Sequence, residues 1–454
     1  MPPLLALFLC LGFIAWLFWR DSKQRRFASR ALWIPFLWLF VIGSRPVSYW
    51  FGGGNSNLVL EGNPINTLVF TVLIVSAILV LQRRNFNWAA FVHQNKALCL
   101  IYLFFAISAA WSPLGIVSLK RLFKDFGGVL VVLVLLTEHD PVAAIQTVFV
   151  RVSYLLFPLS ILVDKYFPSI GRNYTPEGGQ MVTGLTTQKN SLGEVLVVFG
   201  MMLLWDLLEL RKENVDRRWK TEILVRYGLL AMGGWLLLTC DSVTSMICLL
   251  LGLLILWGGS RLVRMQNGRQ ALLGCLVGLT CMIGVNKTFG ISDAIIHAFG
   301  RNTDLTDRTY IWQAILDQKT NPLVGCGFYS FWNTQFGQNV NLALGVEGLG
   351  ESHNGYLETF VDGGVVGEGL LVVLLLAAGA RSLRRLFDGS FFGRMSLAFW
   401  MIAILSNISE ANFFRLGPIW FAFLLLTTEC PCSVPALGKA EEHSCVEDPV
   451  SQSA

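Results

Sequence analysis

Apolar residues in this chain run in long blocks broken by short polar connections. The blocks fall at about 3–19, 31–48, 65–82, 98–112, 122–137, 143–163, 190–209, 222–239, 242–259, 271–287, 355–379, 395–409 and 412–428. Each is near the roughly 20 residues that a helix needs to cross a hydrocarbon core. The pattern predicts an all-α polytopic integral membrane protein with about 13 transmembrane helices. A membrane domain would cover 1–428 and a cytoplasmic tail 429–454, whose polar stretch 437–454 reads as disordered. The run Pro3–Trp19 lacks a basic start and a small-residue cleavage site, so it reads as a retained first helix rather than a signal peptide.

The polar connections carry the topology. Basic residues gather in five of them: 20–30, 83–97, 210–221, 260–270 and 380–394. The positive-inside rule places all five in the cytoplasm, and an even number of spans separates each from the next, so one orientation satisfies them all. Two long segments, about 164–189 and 288–354, then face outward. The second is the only polar piece of any size. Its pattern predicts a helix over 306–318, N-capped by Thr306, with Ile311 and Ile315 on an apolar face. Asn321-Pro322 ends that helix, Gly325 and Gly327 keep the next stretch irregular, and Gly363, Gly364, Gly367 and Gly369 give the following span a small-residue packing face.

Composition agrees with this reading. Of 454 residues, 54% are hydrophobic and 14% charged, and the mean hydropathy is +0.56, against about a quarter charged residues in soluble domains. The net charge of +5 would suggest nucleic acid if it were concentrated on one face, but it is dispersed among membrane connections. Ten cysteines are scattered without CxxC spacing. Cys430, Cys432 and Cys445 come nearest to a cluster and do not amount to a zinc site, so no metal is expected.

Several segments carry a family resemblance over roughly residues 40–430: GSRPVSYW at 43–50, WSPLGIVSLKR at 111–121, GRNYTPEGG at 171–179 and TGLTTQKNSLG at 183–193. More specific are GRNTDLTDRTYIWQAIL at 300–316, NPLVGCGFYSFW at 321–332 and SHNGYLETFVDGGVVG at 352–367. In this order and spacing the chain resembles the O-antigen ligase and O-antigen polymerase superfamily, particularly its exopolysaccharide-polymerisation branch. The resemblance implies a helical glycosyltransferase of the bacterial cytoplasmic membrane with its site facing outward. It would take a sugar chain from a polyprenyl-pyrophosphate carrier, using neither metal nor nucleotide and no cofactor. The implied partners are the carrier-linked oligosaccharide, an acceptor glycan or glycolipid, membrane lipids and other polysaccharide-assembly proteins, with no nucleic acid. One departure stands out: where many members place an Arg in a Ser-Arg element, this chain reads DSVTS with Val243.

A pyrophosphate leaving group needs fixed cations or amide donors where its charge develops. Arg308 is the first candidate. In the first turn of the predicted loop helix a cation opposes the helix dipole by about 0.3–1 kcal/mol. Either an anion shared with the helix amides compensates, or Arg308 is a solvated residue pairing Asp304 or Asp307. Arg301 lies seven residues earlier. Lys120, Arg121 and Lys124 fall on a connection at the outer side, where they either face a polar cavity or snorkel. Arg45, Arg172 and Lys189 could extend the same outward basic surface, and each alone reads equally as structural. Arg151, inside a span, is either functional or placed at the inner interface. An acceptor hydroxyl needs a base, and His353, expected in the first turn of a helix, is the candidate, with Glu351 or Glu358 to orient it. Asn190 and Asn354 read equally as sugar-binding amides and as helix caps. The proposed division gives His353 and Arg308 the chemistry and the other residues substrate binding. A rival class, a transporter or flippase of lipid-linked glycan, predicts charges along a midplane path and repeated broken helices, and a third is a non-catalytic assembly partner.

Overall fold

The protein is described here by a computed structural model covering residues 1–24, 29–51, 63–174, 178–211, 217–264, 304–346, 348–387 and 391–431. Its long elements are helices: α1 Pro3–Gln24, α2 Trp33–Ile42, α3 Pro64–Arg83, α4 Trp88–Gln94, α5 Lys96–Ser108, α6 Gly115–Leu136, α7 Pro141–Tyr166 and α8 Lys189–Leu210. They continue with α9 Arg217–Cys240, α10 Val243–Arg264, α11 Asp304–Leu316, α12 Gln335–Leu344, α13 Gly355–Phe387, α14 Phe391–Ser406 and α15 Pro418–Thr427. Two short antiparallel strands, β1 Arg172–Tyr174 and β2 Gln180–Val182, make a small hairpin.

Every apolar block read from the sequence falls on a helix except 271–287, which lies outside the described residues. The protein is an all-α membrane protein, but the count of spans is not simply the count of blocks. Among the described residues, six helices are long and apolar enough to cross a bilayer: α1, α3, α7, α8, α9 and α13. The pair α4 and α5, bent by 98°, makes a seventh if it is taken as one span. The block 412–428 shrinks to α15, whose ten residues are all buried among α6, α8, α13 and α14. A helix so enclosed needs no polar face, which is why its sequence alone reads as a span. By contrast α1 is apolar on nearly all sides and mostly exposed, as a lipid-facing helix is.

α13 is a broken helix. At Gly364 the backbone turns to φ 61°, ψ −162°, and the polar groups freed there are taken up by the chain at 322–329. Val365 N donates to Pro322 O (2.9 Å) and Val366 N to Leu323 O (3.0 Å), while Val361 O and Asp362 O accept from Cys326 N and Gly327 N (3.0 Å each). Irregular backbone inside a membrane domain is tolerated only with such internal partners. Glycine is required on both sides of the joint: a Cβ on Gly364 would run into Leu323 backbone, and one on Gly325 into Asp362 backbone, both at positive φ. The expected small-residue face is therefore divided. Gly363 and Gly367 approach Phe104 and Phe105, Gly364 makes the break, and Gly369 faces open space.

Three local expectations are corrected. The loop helix α11 starts at Asp304 rather than after Thr306, so Thr306 lies within it and Arg308 in its second turn. His353 stands two residues ahead of α13, not in its first turn, and has a left-handed backbone (φ 52°). Lys120, Arg121 and Lys124 lie within α6 rather than on a connection, because the helix begins at Gly115.

At the other end of the bundle, charges close on each other. Arg226, 1% exposed, donates to Asp206 Oδ2 (2.8 Å) and pairs with Glu222, which also pairs with Arg20. Arg84 pairs with Glu138, and Arg385 with Glu429 (3.1 Å). Arg151 pairs with Asp21 (2.6 Å), which ties α7 to the end of α1 and gives the charge inside that span a structural partner.

Candidate functional site

At the opposite end, a cavity of about 380 Å³ opens among the starts of α6 and α8, the loop around Tyr329, the chain before α13 and the turn 407–417. The sequence builds these walls separately. α6 brings Arg121, Lys124 and Asp125 on one face by helical spacing, α8 brings Ser191 and Glu194, and the turn brings Glu410, Asn412 and Arg415. The Tyr329 loop is fixed through the break in α13, through Phe328 N to Ser108 Oγ (3.0 Å) and through a triangle of Ser112, Ser118 and Ser330 hydroxyls 2.6–3.0 Å apart.

One wall is cationic. Arg415 lies over the Tyr329 ring with its Cζ 3.6 Å from the centroid, and the Arg121 Cζ lies 4.4 Å from it. Arg121 also donates to Tyr329 O (2.8 Å), and Lys124 Nζ to Thr67 Oγ1 (3.1 Å). Arg415 is held by Glu358 Oε2 at 2.8 Å, and the other oxygen of Glu358 accepts from Trp332 Nε1 (2.8 Å) and Ser352 N (2.5 Å). Burial opposes the charge on Arg415, but Tyr329, Glu358 and Asp362 more than restore it, raising its pKa.

The other wall carries carboxylates and amides. Glu410, 7% exposed, receives Arg308 Nη2 (3.1 Å) and Asn190 Nδ2 (2.7 Å) on one oxygen. Its other oxygen lies 3.6 Å from His353 Nδ1, and Glu351 Oε1 lies 3.2 Å from the same nitrogen. Burial alone would lower the His353 pKa. Contact with Glu410 and the charge of Glu351 outweigh it, against Arg308, so the net shift is upward. Glu351 is also shifted upward, by burial first and then by Glu410 and Glu358, with His353 opposing. Two carboxylates thus favour the imidazolium.

Two buried polar atoms on the cavity wall have no hydrogen-bond partner among the described residues. They are Asp125 Oδ1, whose companion Oδ2 accepts from Tyr102 Oη at 2.5 Å, and Asn412 Nδ2. Buried polar groups are normally satisfied, so such atoms mark where a ligand or water completes the bonding. Backbone strain collects here too: His353, Tyr329 and Phe414 are three of the five described non-glycine residues with positive φ.

The structure brings together Arg308, His353, Glu351, Asn190 and Arg121 of the residues expected from the sequence. It assigns others elsewhere. Arg45 straps the outer loop by donating to Thr186 O (3.1 Å) and Ile170 O, and Arg172 pairs with Asp164 (2.8 Å). Lys120 is exposed on α6, and Lys189 is half-buried at the first residue of α8 and does not line the cavity. Asn354 caps α13, accepting from Tyr356 N (3.0 Å) and Leu357 N (3.1 Å). Arg301 lies outside the described residues, as do the side chains of Asp304 and Asp307. Glu410, Asn412 and Arg415 were not anticipated. Their signal was the run SNISEANFFR at 406–415, too polar to belong to two consecutive spans.

Residues 190–374 match the family model described as O-Antigen ligase. Over 169 residues the chain is 30% identical to the exopolysaccharide production protein ExoQ of Rhizobium meliloti (strain 1021), and the match takes in 36% of this chain and 38% of that protein. The aligned region therefore spans well under half of the relative's length. The chain thus combines several helices long and apolar enough to cross a membrane with a segment similar to the O-antigen ligase family.

Proposed function

Starting from the O-antigen ligase segment at residues 190–374, we propose that this chain transfers an oligosaccharide from a polyprenyl-pyrophosphate carrier to a hydroxyl of an acceptor glycan, at the outer face of the bacterial cytoplasmic membrane. The observation that carries the proposal is one cavity lined by the cations Arg121, Lys124 and Arg415 and by Glu351 and Glu410, the two carboxylates that approach His353 Nδ1. Arg121 and Lys124, within the first three turns of α6, suit a lipid-linked diphosphate, and Arg415 or Arg308 compensates the leaving oxygen. Val243, at the start of α10, leaves that role to these residues.

In the proposed step His353 takes the proton of the acceptor hydroxyl as its oxygen bonds to the anomeric carbon. The bond from that carbon to the phosphate oxygen breaks, and the carrier diphosphate leaves with the electron pair among the cations. Attack from the face opposite the leaving group inverts the anomeric centre. The residues achieve this by position and charge, without a group bound to the chain. The outward placement is supported by the five basic connections, since Arg20, Arg84 and Arg385 gather at the end of the bundle away from the cavity.

The test is the purified protein in lipid nanodiscs supplied with carrier-linked oligosaccharide, with products resolved by length. A ladder of products marks a polymerase, and a single transfer to an added lipid-anchored core marks a ligase. Absence of any new glycosidic bond with both acceptors, alongside movement of the carrier-linked glycan between leaflets, would replace transfer with transport.

A further inference from the structure

Among the carboxylates at the cavity, Glu410 differs in how many parts of the protein converge on it. Its Oε1 accepts from Asn190 of α8 (2.7 Å) and from Arg308 of α11 (3.1 Å). Its own N–H donates to Ser406 O (2.8 Å), and its carbonyl accepts from Gly355 N at the start of α13 (3.0 Å). The neighbouring Ser409 receives Arg308 on its carbonyl, and its hydroxyl lies 2.8 Å from that of Thr244 on α10. Oε2 is left pointing at His353 Nδ1, 3.6 Å away. Glu351 is nearer to the same nitrogen but stands a third exposed (33%), against 7% for Glu410, and no other hydrogen bond of its side chain is found among the described residues.

A neutral imidazole carries one N–H, and a nitrogen facing two carboxylates must be the one that bears it, because a lone pair there would meet only acceptors. Nε2 then keeps its lone pair and is the atom that can accept a proton. The left-handed backbone of His353 means that the helix following it does not fix the ring by itself. We infer that Glu410 is the positioning residue of this site: it holds Arg308 with one oxygen and turns the other toward His353 Nδ1, close enough for a small movement of the ring to make the bond, so that Nε2 is presented to the acceptor side. The inference rests on the reading of His353 as the acceptor-side base. The charged groups around the pair are Glu351 and Arg308 facing His353, Glu194 of α8 facing Glu410, and Arg415 facing Glu351.

The experiment reads His353 directly. Full-length protein in nanodiscs is treated with diethyl pyrocarbonate, which modifies histidine only in its neutral form, across a pH series, and modification localised to His353 is quantified by fragmentation mass spectrometry. Glu410→Gln keeps an acceptor oxygen for Asn190 and Arg308 but removes the charge. It should move the modification midpoint down by about one pH unit, the lower end of what a neighbouring opposite charge does. Glu410→Asp, which keeps the charge, should return the midpoint toward wild type. Glu351→Gln should move it less than Glu410→Gln. Transfer by the Gln variant should fall at least about tenfold in kcat, with donor KM held within about twofold because the Arg308 contact survives.

An unchanged midpoint in Glu410→Gln, or a larger shift in Glu351→Gln, overturns the inference. Should Glu410→Gln not reach the membrane, Glu351→Gln decides: a downward shift of about one pH unit or more there overturns the inference, and a smaller one upholds it. A shifted midpoint with transfer untouched in both Glu410→Gln and His353→Ala upholds Glu410 as the partner of the ring and removes His353 from the chemistry.

Discussion

The two ends of this helical bundle use the same residue types to opposite effect. At one end Arg226, Asp206, Glu222 and Arg20 close into a buried network, and Arg151 with Asp21 and Arg84 with Glu138 do the same nearby. At the other end Arg121, Arg415, Asp125, Glu351 and Glu410 also lie in a largely apolar protein, but they line a cavity and leave Asp125 Oδ1 and Asn412 Nδ2 without partners. Backbone strain divides in the same way, with His353, Tyr329 and Phe414 all at the cavity end. A buried charge therefore says little by itself. Whether it lines a cavity separates a lock from a site.

Substitutions at the two ends should fail differently, and the largest effect belongs to the cavity. His353→Ala should lower transfer by about 10²–10⁴-fold while membrane abundance and carrier binding stay near wild type, measured by quantitative blotting and by retention of labelled carrier-linked glycan. Normal transfer in that variant would remove the distinction at its centre. At the other end, Arg226→Met strands Asp206 and part of Glu222, and breaking a buried pair from one side costs about 3–5 kcal/mol. Thermal unfolding in nanodiscs should shift sharply downward, with transfer per folded molecule unchanged. A variant equally stable but inactive would move this network into the mechanism.

Arg45 sharpens the contrast, because it sits at the outer side yet bonds only backbone carbonyls among the contacts described above. Arg45→Ala should lower stability by about 1.5–3 kcal/mol, the range for a lost hydrogen bond to a charged group, with donor KM unaltered. A raised donor KM would return it to the binding surface. The smallest effect is in pH dependence. A base must be neutral, and the pKa of His353 is raised, so transfer should climb as pH rises through a midpoint above the ordinary value of about 6.5. A rate already at its plateau at pH 6 would contradict that sign.

Much of the fold was legible because hydrophobic blocks of membrane length leave few alternatives: α3, α7 and α8 match their expected limits within a few residues. α15 misled because enclosure by protein and enclosure by lipid demand the same apolar sequence. Arg308 and His353 were put forward by the motifs around them, and Glu351 by its closeness to His353. Glu410 and Arg415 were not, since the stretch holding them lies between two apolar blocks that were drawn almost touching. Arg45 and Arg172 were misread for a related reason: sequence tells which side of the membrane an arginine is on, not that Ile170 O and Asp164 have already engaged it.

The joint in α13 also bears on how the protein comes into being. The loop of Tyr329 has its hydrogen-bonding partners at Val361, Asp362, Val365 and Val366, which leave the ribosome after it, and the cavity needs in addition the turn ending at Gly417. At about 5–20 residues per second, roughly 15–60 s separate the synthesis of Arg121 from that of Gly417. Throughout that interval Arg121 and Lys124 stand without Arg415 and Glu410. If the chain acts on lipid-linked sugars as proposed, it can insert helix after helix among them and remain unable to act on them until almost the last described helix is in place.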